Sequence, residues 1–177
     1  MSKYGEGKPE WLPRIMVRRR GEETPLASTF VSVIEPHEGT ARLRSLRRLT
    51  LQTPAGAALP ESHVGVEFER DDGRRDIAVF ADPASGDAGQ PPEVCVAEHD
   101  MTLRGEVAFV TLGDGGVERL ALSRAEAARV DAVDVQFYGP TDYIEMVFDG
   151  SGARVIRGDP ASVQSITRDG NTLPLLP

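Results

Sequence analysis

Apolar and polar residues alternate with a period of two along most of this chain. In Val64-Gly65-Val66-Glu67-Phe68-Glu69 the series Val64, Val66, Phe68 falls on one side, and Glu67 and Glu69 fall on the other. Ile144-Glu145-Met146-Val147-Phe148 repeats the pattern, with Ile144, Met146 and Phe148 expected inside and Glu145 facing water. Successive side chains of an extended chain point to opposite faces, so such alternation marks half-buried antiparallel strands. The same rhythm predicts strands at 14–20, 29–35, 42–52, 63–69, 75–81, 94–97, 105–112, 117–122, 143–148, 154–157 and 163–168. Asp71-Asp72-Gly73, Gly113-Asp114-Gly115-Gly116, Asp149-Gly150-Ser151-Gly152 and Asp169-Gly170-Asn171 supply the turn residues between them. Short strands at this spacing predict an all-β chain, an antiparallel β-sandwich. Ser123-Arg124-Ala125-Glu126 has capping-box spacing, so at most one short helix is expected, near residues 124–130. Pro/Gly/Ala-rich stretches at 54–60 and 83–92 read as loops, too short to divide domains. The expected organisation is a flexible segment at 1–12 and a single sandwich domain at 13–177, with no internal repeat.

Composition narrows the function classes. A chain of 177 residues with 40% hydrophobic and 27% charged residues suffices for one packed core. A net charge of −8 argues against a nucleic-acid or anionic-membrane binder. No apolar run approaches the roughly 18 residues of a membrane span. The start, MSKYGEGKPEWLPR, lacks the apolar centre of a signal peptide. Either the protein stays where it is made or the chain is a piece whose signal belongs to a longer one, and localisation stays open. A single cysteine leaves no internal disulfide and no Cys-based zinc site, and Cys95 reads as a buried strand thiol. His37, His63 and His99 match no ligand spacing and are each expected at the surface or in a turn. No metal or cofactor is implied.

One stretch carries more than composition. Leu12-Pro13-Arg14-Ile15-Met16-Val17-Arg18-Arg19 is followed by Ser28-Thr29-Phe30-Val31-Ser32-Val33-Ile34-Glu35-Pro36-His37-Glu38-Gly39. An apolar strand ending in paired Arg, a polar gap, then a strand ending Glu-Pro with Gly soon after resembles the C-terminal β region of the heparinase II/III-like polysaccharide lyases. Residues 42–51 resemble the next strand of that region, so the likeness covers about 40 residues. It implies a β-sandwich beside an α/α toroid, in enzymes that cleave uronate-containing polysaccharides such as glycosaminoglycans and alginate by β-elimination. Members are often periplasmic or secreted. The family's acid/base Tyr and His come mainly from the toroid and the early sandwich. No long amphipathic helix stands in this sequence, so the resemblance carries over the scaffold and no catalytic residue. The family often has Tyr where this chain has His37.

The resemblance therefore implies a non-catalytic C-terminal module, a fragment or separately encoded part, supporting a toroid in cis or trans and the substrate cleft. The alternatives are a stand-alone binding module for acidic glycans and a structural interaction domain. Candidate glycan contacts are Arg18, Arg20, Arg42 and Arg44, a stripe if their strands are neighbours, and Tyr138 and Tyr143 in an aromatic loop. A sandwich surface balanced by its own carboxylates is the plainer reading of the same arginines. Phe30, Val31, Val33, Ile34 and Leu49 are expected to include core residues. Pro36 should end its strand and leave Glu35 to pair with a neighbouring Arg.

Overall fold

In the computed structural model, residues 29–36, 38–86 and 90–177 are described. The chain divides into Met1–Phe30 and Val31–Pro177, and the fold is that of the second unit. The expected boundary at 12/13 and the expected strand at 14–20 lie outside the described residues.

Among the described residues, thirteen strands form one hydrogen-bonded network. They are β1 (Leu43–Leu49), β2 (Leu51–Gln52), β3 (Val64–Arg70), β4 (Arg75–Phe80), β5 (Glu93–Val96), β6 (Met101–Gly113) and β7 (Gly116–Val130), then β8 (Val133–Thr141), β9 (Ile144–Phe148), β10 (Ala153–Arg157), β11 (Val163–Arg168), β12 (Asn171–Thr172) and β13 (Leu175–Leu176). Among these thirteen strands of the described residues, all pairings are antiparallel except β10 with β13. The long β6–β7 hairpin folds the network into two leaves. Its turn-proximal halves pair with β4 and β9, giving a first leaf in the order β1-β3-β4-β6-β7-β9-β10-β13. Its distal halves pair with β5 and β8, giving a second leaf in the order β2-β5-β6-β7-β8-β11-β12. The register slips at Arg104/Gly105 on β6 and at Ala125/Ala127 on β7, and Arg124 takes a left-handed φ of 47°. Bulges bend strands and let one strand serve two sheets, so the hairpin becomes the corner of a sandwich-like all-β fold.

The expected short helix near 124–130 is not formed, and no α-helix occurs among the described residues. Ser123–Val130 continues β7 instead, with Ala125, Ala128 and Val130 buried between β6 and β8. Seven residues cannot sustain a helix alone, and ladder bonds on both sides outweigh the capping signal. Residues 133–141, not foreseen as a strand, form β8, and Tyr138 lies on it rather than in a loop. Gly139 and Pro140 obscured it, because Pro cannot donate to a ladder. Here the register jumps from Ala127↔Gln136 to Ala125↔Thr141, so the intervening residues bow outward.

One core fills the space between the leaves, with Ile77, Leu103, Val110, Leu120, Ile144 and Met146 among its fully enclosed members. A smaller cluster of Val64, Val66 and Ala78, with Phe68 packed against it, lies on the opposite side of β3–β4. The expected strand at 29–35 makes no strand pairing among the described residues, and it is not core. Phe30, Val31, Val33 and Ile34 are exposed, Ile34 at 86%, whereas Leu49 is buried as expected. Apolar alternation marks a two-faced segment without saying what covers either face.

Candidate functional site

The residues expected to touch a glycan are not gathered into one site. Arg18 and Arg20 lie outside the described residues. Arg42 and Arg44 are exposed, but the register slips between Leu43 and Ser45, so Arg44 is the extra residue of a bulge. The row Arg42, Arg44, Arg48 therefore does not run straight along one face. Tyr138 is exposed on β8, which β3, β4, β6 and β7 separate from β1 in the sheet order. Tyr143 sits in the turn before β9, and its hydroxyl donates to Glu145 Oε2 at 3.0 Å.

The outer face of the first leaf draws attention by what it exposes. Reading across the register, Leu46 lies beside Phe68, Ala78 beside Phe109, and Phe80 beside Val107. Leu46, Phe80 and Phe109 remain 48%, 46% and 37% exposed. The chain before β1 runs along this face. Glu35 accepts from the backbone N–H groups of Arg42 (2.6 Å) and Leu43 (3.2 Å), so it anchors the corner through backbone rather than through the arginine fork that the sequence suggested. Between this segment and the sheet lies a groove of about 350 Å³, lined by Val33, Ile34, Phe68 and Phe109, with Arg42 and Asp76 at its polar end.

Two carboxylates expected at the surface are buried. Glu145 is 2% exposed because Arg119, Arg157 and the Tyr143 hydroxyl converge on it from the outer face of the first leaf. Glu67 faces the other way. Its Oε1 accepts from Arg47 Nε at 2.8 Å, and its Oε2 is 2.5 Å from His99 Nε2. His99 is thereby enclosed on the β5–β6 turn rather than free at the surface. The Arg47 hydrogen bond, more than any other cause, holds the Glu67 carboxyl below its ordinary range, against the opposing effect of burial; His99 adds to the lowering. A depressed carboxyl stabilises the fold above its unfolded-state pKa, and that contribution is lost as pH falls through the folded value. Asp72, Asp82, Glu98 and Asp149 are lowered too. Thermal stability should therefore decline in acid below the ordinary carboxylate range. Glu67→Gln should flatten that decline and cost about 1–3 kcal/mol at neutral pH, since His99 and Arg47 lose an ionised acceptor. Melting temperatures of parent and variant measured from neutral to acid pH check this, and parallel curves would refute it.

His63 is also buried, at 3% exposure, with Asp82 N–H donating to its Nδ1 at 3.2 Å. Cys95 is half-buried on β5, and burial, then Glu93, pushes its thiol upward, away from nucleophilic character. Among the described residues no His/Cys/Asp/Glu group is arranged to hold a metal ion, and no helix is long and apolar enough to cross a membrane. Nothing in the sequence could have paired Glu67 with His99, because residues 32 apart meet only through strand pairing. No family model, no curated protein and no solved structure matches this chain.

Proposed function

We propose that the chain is a non-catalytic β-sandwich module of a heparinase II/III-like polysaccharide lyase, supporting an α/α toroid and the substrate cleft by docking. The exposed apolar outer face of the first leaf carries this reading. A leaf facing only water alternates to polar residues, whereas here Leu46, Phe80 and Phe109 stay open beside Val33 and Ile34. Contiguous apolar surface of this kind is a usual mark of an interaction site. The sequence likeness over residues 12–51 supplies the partner class. The broken arginine row and the paired states of Arg47, Arg70 and Arg74 weigh against the module being the main acidic-glycan contact.

The test combines the purified chain with a heparinase II/III-like toroid domain. Co-elution is expected, and Phe80→Ser/Phe109→Ser should abolish it while the variant stays folded, since both side chains are substantially exposed. The chain alone should yield no unsaturated-uronate absorbance from heparin, heparan sulfate or alginate, because β-elimination needs a base and a charge neutraliser converging on one sugar. Turnover by the chain alone, or indifference to the toroid, overturns the proposal. On a heparin column at low salt, Arg18/Arg20/Arg42/Arg44→Ser should elute with the parent. Earlier elution of the variant would favour the glycan-binding alternative.

A further inference from the structure

Glu145 is enclosed although it stands on the side of the first leaf that faces away from the core. Its chain neighbours Ile144 and Met146 are fully buried in that core, so strand alternation turns Glu145 outward. Arg119 is turned the same way by its buried neighbour Leu120, and Ala121 stands opposite Glu145 in the register. Two guanidiniums and one phenol meet over this carboxylate. Arg119 Nη2 donates to Oε1, the Tyr143 hydroxyl donates to Oε2 at 3.0 Å, and Arg157 Nε stands 3.8 Å from Oε2. The residue after Arg157 fixes its approach. Gly158 takes a left-handed φ of 98°, and a Cβ on it would run into the Tyr143 carbonyl oxygen and lie 2.9 Å from Ile144 Cα. Glycine therefore lets the end of β10 close onto the start of β9, which brings Arg157 over Glu145.

Charge does not balance at this point. Arg119 and Arg157 bring two positive charges to one carboxylate, and neither has another ion pair or hydrogen bond among the described residues. A guanidinium is a planar fork of several N–H donors. Glu145 takes one hydrogen bond from Arg119 and none from Arg157. The two arginine side chains are 51% and 75% exposed, against 2% for the carboxylate between them, so an approaching ligand meets the cations and not the anion. Ordering a free arginine on binding costs side-chain entropy, and here Glu145 already holds both forks close together, which lowers that cost.

We infer that Arg119 and Arg157, positioned by Glu145, bind the oxyanion group of a ligand, a carboxylate, sulfate or phosphate. Its oxygens accept from both forks, and Tyr143, itself exposed, borders the site. The site shares the outer face with the docking patch, and Ala121 lies between Glu145 and Phe109 in the register. It needs no toroid, so either reading can fail without the other.

The experiment is a titration of the isotopically labelled full chain with acetate, sulfate and inorganic phosphate at constant ionic strength, with chloride as reference, following the arginine Nε–H resonances by NMR. Arg119 and Arg157 are expected to shift together and saturably with at least one oxyanion and not with chloride. Response to acetate alone assigns a planar carboxylate, and response to sulfate or phosphate assigns a tetrahedral group. Arg157→Gln, a change at an exposed side chain, should weaken the interaction by about tenfold or more, as loss of a charge-assisted hydrogen bond does, while the same spectra report that the variant stays folded. Arg129→Gln, which removes an exposed arginine of the second leaf, should leave it unchanged. If no oxyanion moves Arg119 and Arg157 further than chloride does, or if folded Arg157→Gln binds like the parent, the site is refuted.

Discussion

Leu120→Ala should destabilise the protein by about 2–5 kcal/mol, the usual cost of emptying an enclosed leucine site. Leu120 is fully enclosed on β7 between Val110 of β6 and Met146 of β9. All three belong to the core that the two leaves share, so the surroundings cannot collapse without moving the central hairpin. Ile34→Ala is the informative companion. The two aliphatic side chains are similar in size, but Ile34 is 86% exposed, and its truncation should stay within about 0.5 kcal/mol of the parent. Urea unfolding monitored by far-ultraviolet circular dichroism measures both. Similar midpoints for the two variants would mean that the core does not lie between the leaves.

Gly105→Ala should cost about 1–3 kcal/mol, and Gly105→Val more, because the added atoms meet backbone rather than a yielding side chain. Gly105 faces Ala125 across the hairpin where both strands cross between leaves. A Cβ there would stand 2.7 Å from both Cα and Cβ of Ala125 and 3.1 Å from the Arg124 carbonyl oxygen. The only escape is to separate β6 from β7 at the corner, which disturbs both leaves together. Gly115→Ala, in the hairpin turn with open space around it, should be nearly neutral. Unfolding midpoints of the two variants decide the matter. Equal values would place the crossing elsewhere.

The candidate site was less legible than the strands, and particular residues show why. Glu145 stands at an outward position of its strand, as its alternation implied, yet it is buried by Arg119 and Arg157 arriving from β7 and β10. Alternation assigns a side of the sheet and says nothing about what lies over that side. His63 and His99 read as surface residues because no short-range spacing tied them to a partner. The partners, Asp82 and Glu67, are 19 and 32 residues away. Val31, Val33 and Ile34 looked like core for the converse reason, since an apolar run records only that something is to be covered.

By itself the sequence determined the all-β class, most strand positions and the turns, because the period-two pattern and the Asp/Gly reversals act over a few residues. It also determined the net charge of −8. Tertiary structure decided that residues 123–130 extend a strand, since ladders on both sides of β7 replace the bonds a short helix would have made. It likewise decided which face of each strand meets the core, and it set the Glu67–His99 and Glu145–Arg119 pairs. Those outcomes depend on strand order and on the bend of one hairpin, and such long-range pairings leave no mark in local spacing.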